Sequence, residues 1–251
     1  MRATHTMVLL MALHLTACGA NVFKSSETKD PAEDATVALE NGEETEAIGI
    51  LEDALVDDPG NPQFLSILAL AYAQRAGIEP LDFATRIAKN AGTNSEEGET
   101  ADGETPAEPG QMTAMFSIMP AATTDNLLDV DRAVTILASE IPVDQRLPGD
   151  DFKLAIYQTA SVIMHMKALD LNGDGEISLE ETIQLSDTSA AGLLSQLNAA
   201  QALLAGADAG DQSKQKAAQA LSKYTEQISA APGTTDEEKL RNYLGTTSTP
   251  P

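Results

Sequence analysis

Twelve consecutive residues carry the sharpest chemistry in this chain: Asp170-Leu171-Asn172-Gly173-Asp174-Gly175-Glu176-Ile177-Ser178-Leu179-Glu180-Glu181. Asp170, Asn172 and Asp174 alternate, so their side-chain oxygens can converge from one side of a tight turn. Gly175 sits where such a turn demands positive φ. Carboxylate and amide oxygens are hard donors. A hard cation such as calcium gathers about six to eight of them at roughly 2.3–2.6 Å.

The segment matches the pattern D-x-[DN]-x-[DN]-G-x5-E at every specified position. In this it resembles the EF-hand loop. The resemblance implies a metal site made of Asp170, Asn172 and Asp174 through their side chains and Glu176 through its backbone carbonyl. Ser178 would join directly or through water, and Glu181 would close the shell with both carboxylate oxygens. Ile177 takes the position whose side chain packs inward. The flanks fit this reading. Lys153–Leu169 is an apolar-periodic incoming helix with Val162, Met166 and Leu169 on one face, and Ser178–Ile183 reads as the start of an outgoing helix. EF-hands usually come in pairs, and no second loop is found. Leu128-Asp129-Val130-Asp131 lacks the glycine and the spacing, and Asp208-Ala209-Gly210-Asp211 lacks the closing glutamate. Pairing with a second molecule, packing on a neighbouring helix and service as a structural clip all remain open. The competing reading is a solvated Asp/Gly turn.

Other chemistry finds little footing. The chain has no His-Glu-x-x-His, no Gly-x-Ser-x-Gly and no Gly-x4-Gly-Lys-Ser/Thr. His165, between Met164 and Met166, shares the chain only with His5, His14 and Cys18, all in the N-terminal leader or at its boundary, so it has no ligand partner for a zinc ion there and reads as a packed or surface histidine. Met164 and Met166 themselves read as core. The expectation is a protein that is not an enzyme. Lys plus Arg is 15 against 39 Asp plus Glu, a formal charge of −24 over 251 residues. Nucleic-acid binding needs a positive surface to displace counterions, so DNA and RNA are poor partners; cations and basic proteins suit better. Trp is absent, aromatics are 4% and Ala is abundant, which points to an all-α fold.

The chain opens as an address. Arg2 is followed by the short apolar run Met7–Leu13 and then by Leu15-Thr16-Ala17-Cys18. This run is too short to span a bilayer, which needs about 20 residues. The layout resembles the bacterial lipoprotein signal, in which the cysteine is lipidated and the leader, here residues 1–17, is removed. Cys18 is the single cysteine, so no internal disulfide forms and it reads as an anchor. The departure is His14, polar and late in the apolar run. The alternative is an ordinary secretory signal with a chance cysteine. Gly19, where the inner-membrane retention signal of this class usually has Asp, points to the outer membrane facing the periplasm. Residues 18–33 read as a tether.

Residues 34–90 read as helical hairpins. Ala47-x3-Leu51-x2-Ala54 precedes Asp58-Pro59, and Leu68-Ala69-x2-Tyr72 follows the turn Pro59-Gly60-Asn61. These resemble parts of the tetratricopeptide (TPR) pattern, with small residues where helices touch and large ones beside them. The match departs at Pro31 and Asp34, and an ordinary αα-hairpin pair is the competing reading. Such repeats need about three units to close a core, so this segment is expected to dock on the C-terminal helices. Residues 91–123 read as an acidic disordered linker; Thr93–Gln111 holds six acids and no base, though Met112–Met119 is apolar again. Residues 124–245 read as a helical region around the loop. Its spans are 125–140, 150–169, 178–186, 189–206, 212–230 and 236–244, with Asp125 and Asp187 as N-caps. Residues 246–251 read as a disordered tail.

The chain is therefore expected to be a calcium-binding, lipid-anchored helical scaffold of the bacterial cell envelope with a protein partner. The alternative is an accessory subunit of a periplasmic solute transport system, whose TPR-like body contacts a substrate-binding protein or ligand.

Overall fold

The computed structural model describes residues 30–93, 111–175, 177–178, 180–205 and 212–246. Among them every regular element is helical. The leader 1–17, Cys18, most of the tether, residues 94–110 of the linker, Glu176 and residues 247–251 lie outside the described residues.

Three helices open the fold: α1 (Pro31–Glu40), α2 (Glu44–Asp57) and α3 (Pro62–Arg75). The first helix begins inside the expected tether, because Asp30 caps it. Its carboxylate accepts the Ala32 N–H at 3.0 Å, and Pro31 follows at the first helical position. Asn61 does the same for α3, accepting from Gln63 and Phe64 at 2.9 and 3.2 Å. Small residues let these helices approach. Ala35, Ala47 and Ala69 have no exposed surface, and Leu51 and Leu68 fill the grooves beside them. Ala54 is only half-buried and Tyr72 is partly exposed.

The chain continues through α4 (Pro80–Thr93), α5 (Gln111–Ile118) and α6 (Thr124–Thr135), the last running into a π-helical turn at Ile136–Glu140. Residues 91–93 and 111–118 of the expected linker are thus helical. Met115, Phe116 and Met119 are buried, so this apolar stretch has a core to join. Then come α7 (Asp150–Lys167), α8 (Asp187–Ala205), α9 (Gln212–Ala230) and α10 (Asp236–Thr246). Two of the expected caps are corrected. Thr123, in extended backbone, accepts the Asn126 N–H at 3.2 Å, which makes Asp125 a first-turn residue. Ser186 accepts the Ser189 N–H at 3.1 Å, so Asp187 starts α8 rather than capping it.

At the centre lies α7, buried nearly all round from Leu154 to Met166. It is packed by α3, α4, α5, α6 and α8, while α8 also carries α9 and α10. The opening helices dock on this centre through α3, which lies against α6 and α7. Two polar ties fix that docking. Ser66 donates to Asp150 at 2.6 Å, and Lys153 reaches Ser66 at 2.6 Å and Asp150 at 2.8 Å. Arg75 makes a two-pronged pair with Asp129 at 2.6 and 2.7 Å. One continuous apolar core runs from Ala35 to Leu244. No helix among the described residues is long and apolar enough to cross a membrane.

Candidate metal centre

At the end of α7 the chain turns sharply through the acidic segment. Gly173 and Gly175 both take positive φ, 74° and 85°. A Cβ at Gly173 would meet nothing, so there the glycine serves the backbone conformation rather than space. Asp170 folds over the turn, with Oδ1 accepting the Gly173 N–H at 2.8 Å and Oδ2 the Gly175 N–H at 2.9 Å. Asn172 accepts the Asp174 N–H at 2.8 Å. Ile177 is buried in the core, which pins the far side of the loop.

Glu181 closes the segment. Its Oε1 accepts the N–H groups of Leu171 and Asn172 at 2.9 and 3.2 Å, reaching back to the start of the loop. Its Oε2 accepts from the Ser178 N–H at 2.8 Å and from the Ser178 hydroxyl at 2.9 Å. Ser178 in turn accepts the Glu181 N–H at 3.3 Å, forming a reciprocal capping box. The Ser178 N–H first, then its hydroxyl and the Asn172 and Leu171 N–H groups, hold the Glu181 carboxyl below its ordinary range. It is therefore an anion at neutral pH.

Sequence reasoning expected an outgoing helix over 178–186. The structure has only a four-residue 3₁₀ turn, Glu181–Gln184. Leu185 then takes an extended conformation that carries its side chain into the core, and Ser186 caps the next helix. These two demands end the turn before it can lengthen.

Asp170, Asn172, Ser178 and Glu181 are thus drawn together through the backbone of one loop, with Asp174 on its exposed side. Glu176 lies outside the described residues. Among the described residues no three His, Cys, Asp or Glu side chains stand close enough to share one metal ion. The Asp170 and Glu181 carboxylates are turned onto the loop's own N–H groups.

Three positions near the loop were not legible in the sequence as part of this site. Lys167, one turn ahead of Asp170, donates to the carbonyls of Phe116 and Met119 at 2.8 and 3.0 Å and closes the end of α5. Arg241 of α10 donates to the Leu185 carbonyl at 2.7 Å and the Ile183 carbonyl at 3.3 Å. Asp131 of α6 takes the Ser161 hydroxyl at 2.6 Å and His165 Nε2 at 3.0 Å. The spacing of Ser161 and His165 already puts them on one face of α7. Their shared partner, about thirty residues away in sequence, left no local signal. The Asp131 bond raises the His165 pKa against its partial burial. Burial acts on Asp131 in the opposite sense, but the His165 and Ser161 hydrogen bonds outweigh it and lower its pKa. A groove of about 660 Å³ opens beside this pair, walled by Leu169, Leu185 and Leu193.

No family model matches this chain, and neither a curated protein nor a solved structure does.

Proposed function

We propose that the chain is a non-enzymatic, calcium-binding helical scaffold, anchored by lipid at Cys18 to the bacterial cell envelope at the outer membrane. The observation that carries the reading is the return of Glu181, the twelfth residue of an EF-hand-like pattern, to the N–H groups at the loop's start. The donor set is wholly oxygen: Asp170, Asn172, Asp174, Ser178 and Glu181, to which the EF-hand-like pattern would add the Glu176 carbonyl. Such a set suits a hard divalent cation and not a thiolate- or imidazole-seeking one. Each Asp170 oxygen accepts one N–H and keeps a lone pair for a metal. Glu181 has both oxygens doubly engaged, so ligation exchanges amide bonds for metal bonds. That exchange favours affinity nearer an extracellular module's, about 10⁻⁴ to 10⁻³ M.

The opening helices fit the scaffold part of the reading. Ala47 and Ala69, at the small positions of the TPR-like pattern, are fully buried, and α1, α2 and α3 all touch one another. Their unshared surface is where a protein partner would dock. The experiment is calorimetric titration of metal-stripped protein with calcium, alongside melts with and without the ion. Heat and a rise in Tm at millimolar calcium are expected, with magnesium weaker. Neither heat nor shift would reduce the loop to a solvated turn. Separately, Cys18→Ser should move the protein out of the membrane fraction or leave it unprocessed.

A further inference from the structure

We propose that Arg241 is a positioning residue of the calcium loop, so that the C-terminal helix α10 forms part of the metal site. The inference rests on the calcium reading above. Glu181 opens a helical turn only four residues long. One turn on its own is an unfavourable nucleus, and its terminal carbonyls are left without intrahelical partners. Contacts from outside the turn therefore add to the loop's own bonds in holding Glu181 in place.

Arg241 supplies that hold from 58 and 56 residues downstream, where its Nη2 donates to the carbonyls of Ile183 and Leu185. The guanidinium is aimed by Glu237, one turn back on α10, at 2.5 Å. Leu240 and Leu244, both fully buried, seat the helix in the core. Arg241 Nε is shielded from water and finds no acceptor among the described residues. An unpaired buried donor is costly, so the two Nη2 bonds are kept alongside an unfavourable feature of the same side chain.

The consequence is a linkage. When a cation competes for Glu181, its carboxylate gives up N–H bonds to the loop, and the turn's fixed position then decides whether both oxygens still reach the metal. By reciprocity, whatever Arg241 contributes to calcium affinity, calcium returns as stability of α10 docking.

The test titrates the intact chain and its Arg241→Ala, Arg241→Lys and Lys239→Ala variants with calcium. Europium(III) luminescence lifetimes would count the waters left on the bound metal. Arg241→Ala should weaken calcium at least about fivefold and add metal-bound water. Arg241→Lys, which keeps a donor, should recover part of both, and Lys239→Ala should change neither. Unchanged affinity and water count in Arg241→Ala, with normal wild-type binding, would overturn the clasp alone. Absence of calcium binding by the wild type would instead overturn the calcium reading on which it rests. If Arg241→Ala fails to fold, amide exchange in the wild type decides. Slower exchange over 240–244 with calcium supports the clasp, and identical exchange overturns it.

Discussion

The opening helices and the loop segment are held together in opposite ways. Between α1, α2 and α3 the contacts are small and apolar, with Ala35, Ala38, Ala47, Ala69, Ala71 and Ala73 almost or wholly without exposed surface, and caps supplied by neighbours in sequence. From Lys167 to Leu185 the holding bonds are polar. They come chiefly from two carboxylates, one ammonium and one guanidinium, and the two cationic groups act across 48 or more residues. A close-packed interface has one arrangement fixed by volume. A loop closed by hydrogen bonds to two carboxylates is open to whatever else competes for those anions. The first region is fixed by packing; the second is held by polar bonds, and a response to cations is what the proposed function expects of it.

The largest effect is expected where the opening helices are tied to α7. Asp150 has no exposed surface and accepts from Ser66, Lys153 and the Leu147 N–H. Asp150→Ala strands those donors, and chemical denaturation should show a loss of about 3 kcal/mol. Next comes the body itself. Ala69→Leu forces a larger side chain into a contact with no spare surface and should cost about 1–3 kcal/mol. The same change at half-buried Ala54 should cost less, and Glu46→Ala, on the exposed side of α2, should leave the melt unchanged. Equal tolerance of Ala69→Leu and Glu46→Ala would mean that the opening helices are loosely associated. That would erase the contrast between the regions.

The loop's response is smaller and conditional. At ten times its Kd calcium should stabilise the chain by about 1.4 kcal/mol through linkage. Glu181→Gln should remove most of that gain and Asn172→Ala less, read as the calcium-dependent shift in Tm. A shift of equal size in all three proteins would place the ion elsewhere.

Most of the helices were legible in the sequence because each rests on local signals, but α5 fell inside the stretch read as a disordered linker and the helix read over 178–186 is only a 3₁₀ turn. The breaks at Pro142, Pro148–Gly149 and Pro232–Gly233 fall between helices as read, and α9 spans 212–230 as read. Boundaries set by competition were not. A threonine or serine just upstream took the capping role from Asp125 and Asp187, because the cap must sit at the extended residue before the helix. The loop's glycines, its buried Ile177 and the returning Glu181 were legible because a turn's geometry dictates its residues. Lys167, Arg241 and the pairing of Asp131 with His165 were not, since each depends on tertiary placement of a distant helix.

The smallest effect tests a tie between α6 and α7 that lies one turn before the loop's incoming end. His165 and Asp131 are about two-fifths exposed, with side-chain values of 38% and 42%, so water screens the pair and its worth should stay under about 1 kcal/mol. The signs fix a window. The His165 pKa is raised on folding, so its contribution is complete below the unfolded value of about 6.5 and fades as pH climbs through the folded one. The Asp131 pKa is lowered, so its contribution is complete above about 3.9 and fades as pH falls through its folded value. Both act together between roughly pH 4 and 6.5. Stability measured by urea titration for wild type and His165→Gln should therefore differ most in that interval and converge towards pH 8. Glutamine keeps a donor for Asp131 but cannot titrate. A difference that is flat from pH 5 to pH 8 would mean the bond is worth the same to the neutral ring, and the tie would then belong with the fixed body rather than with the responsive segment.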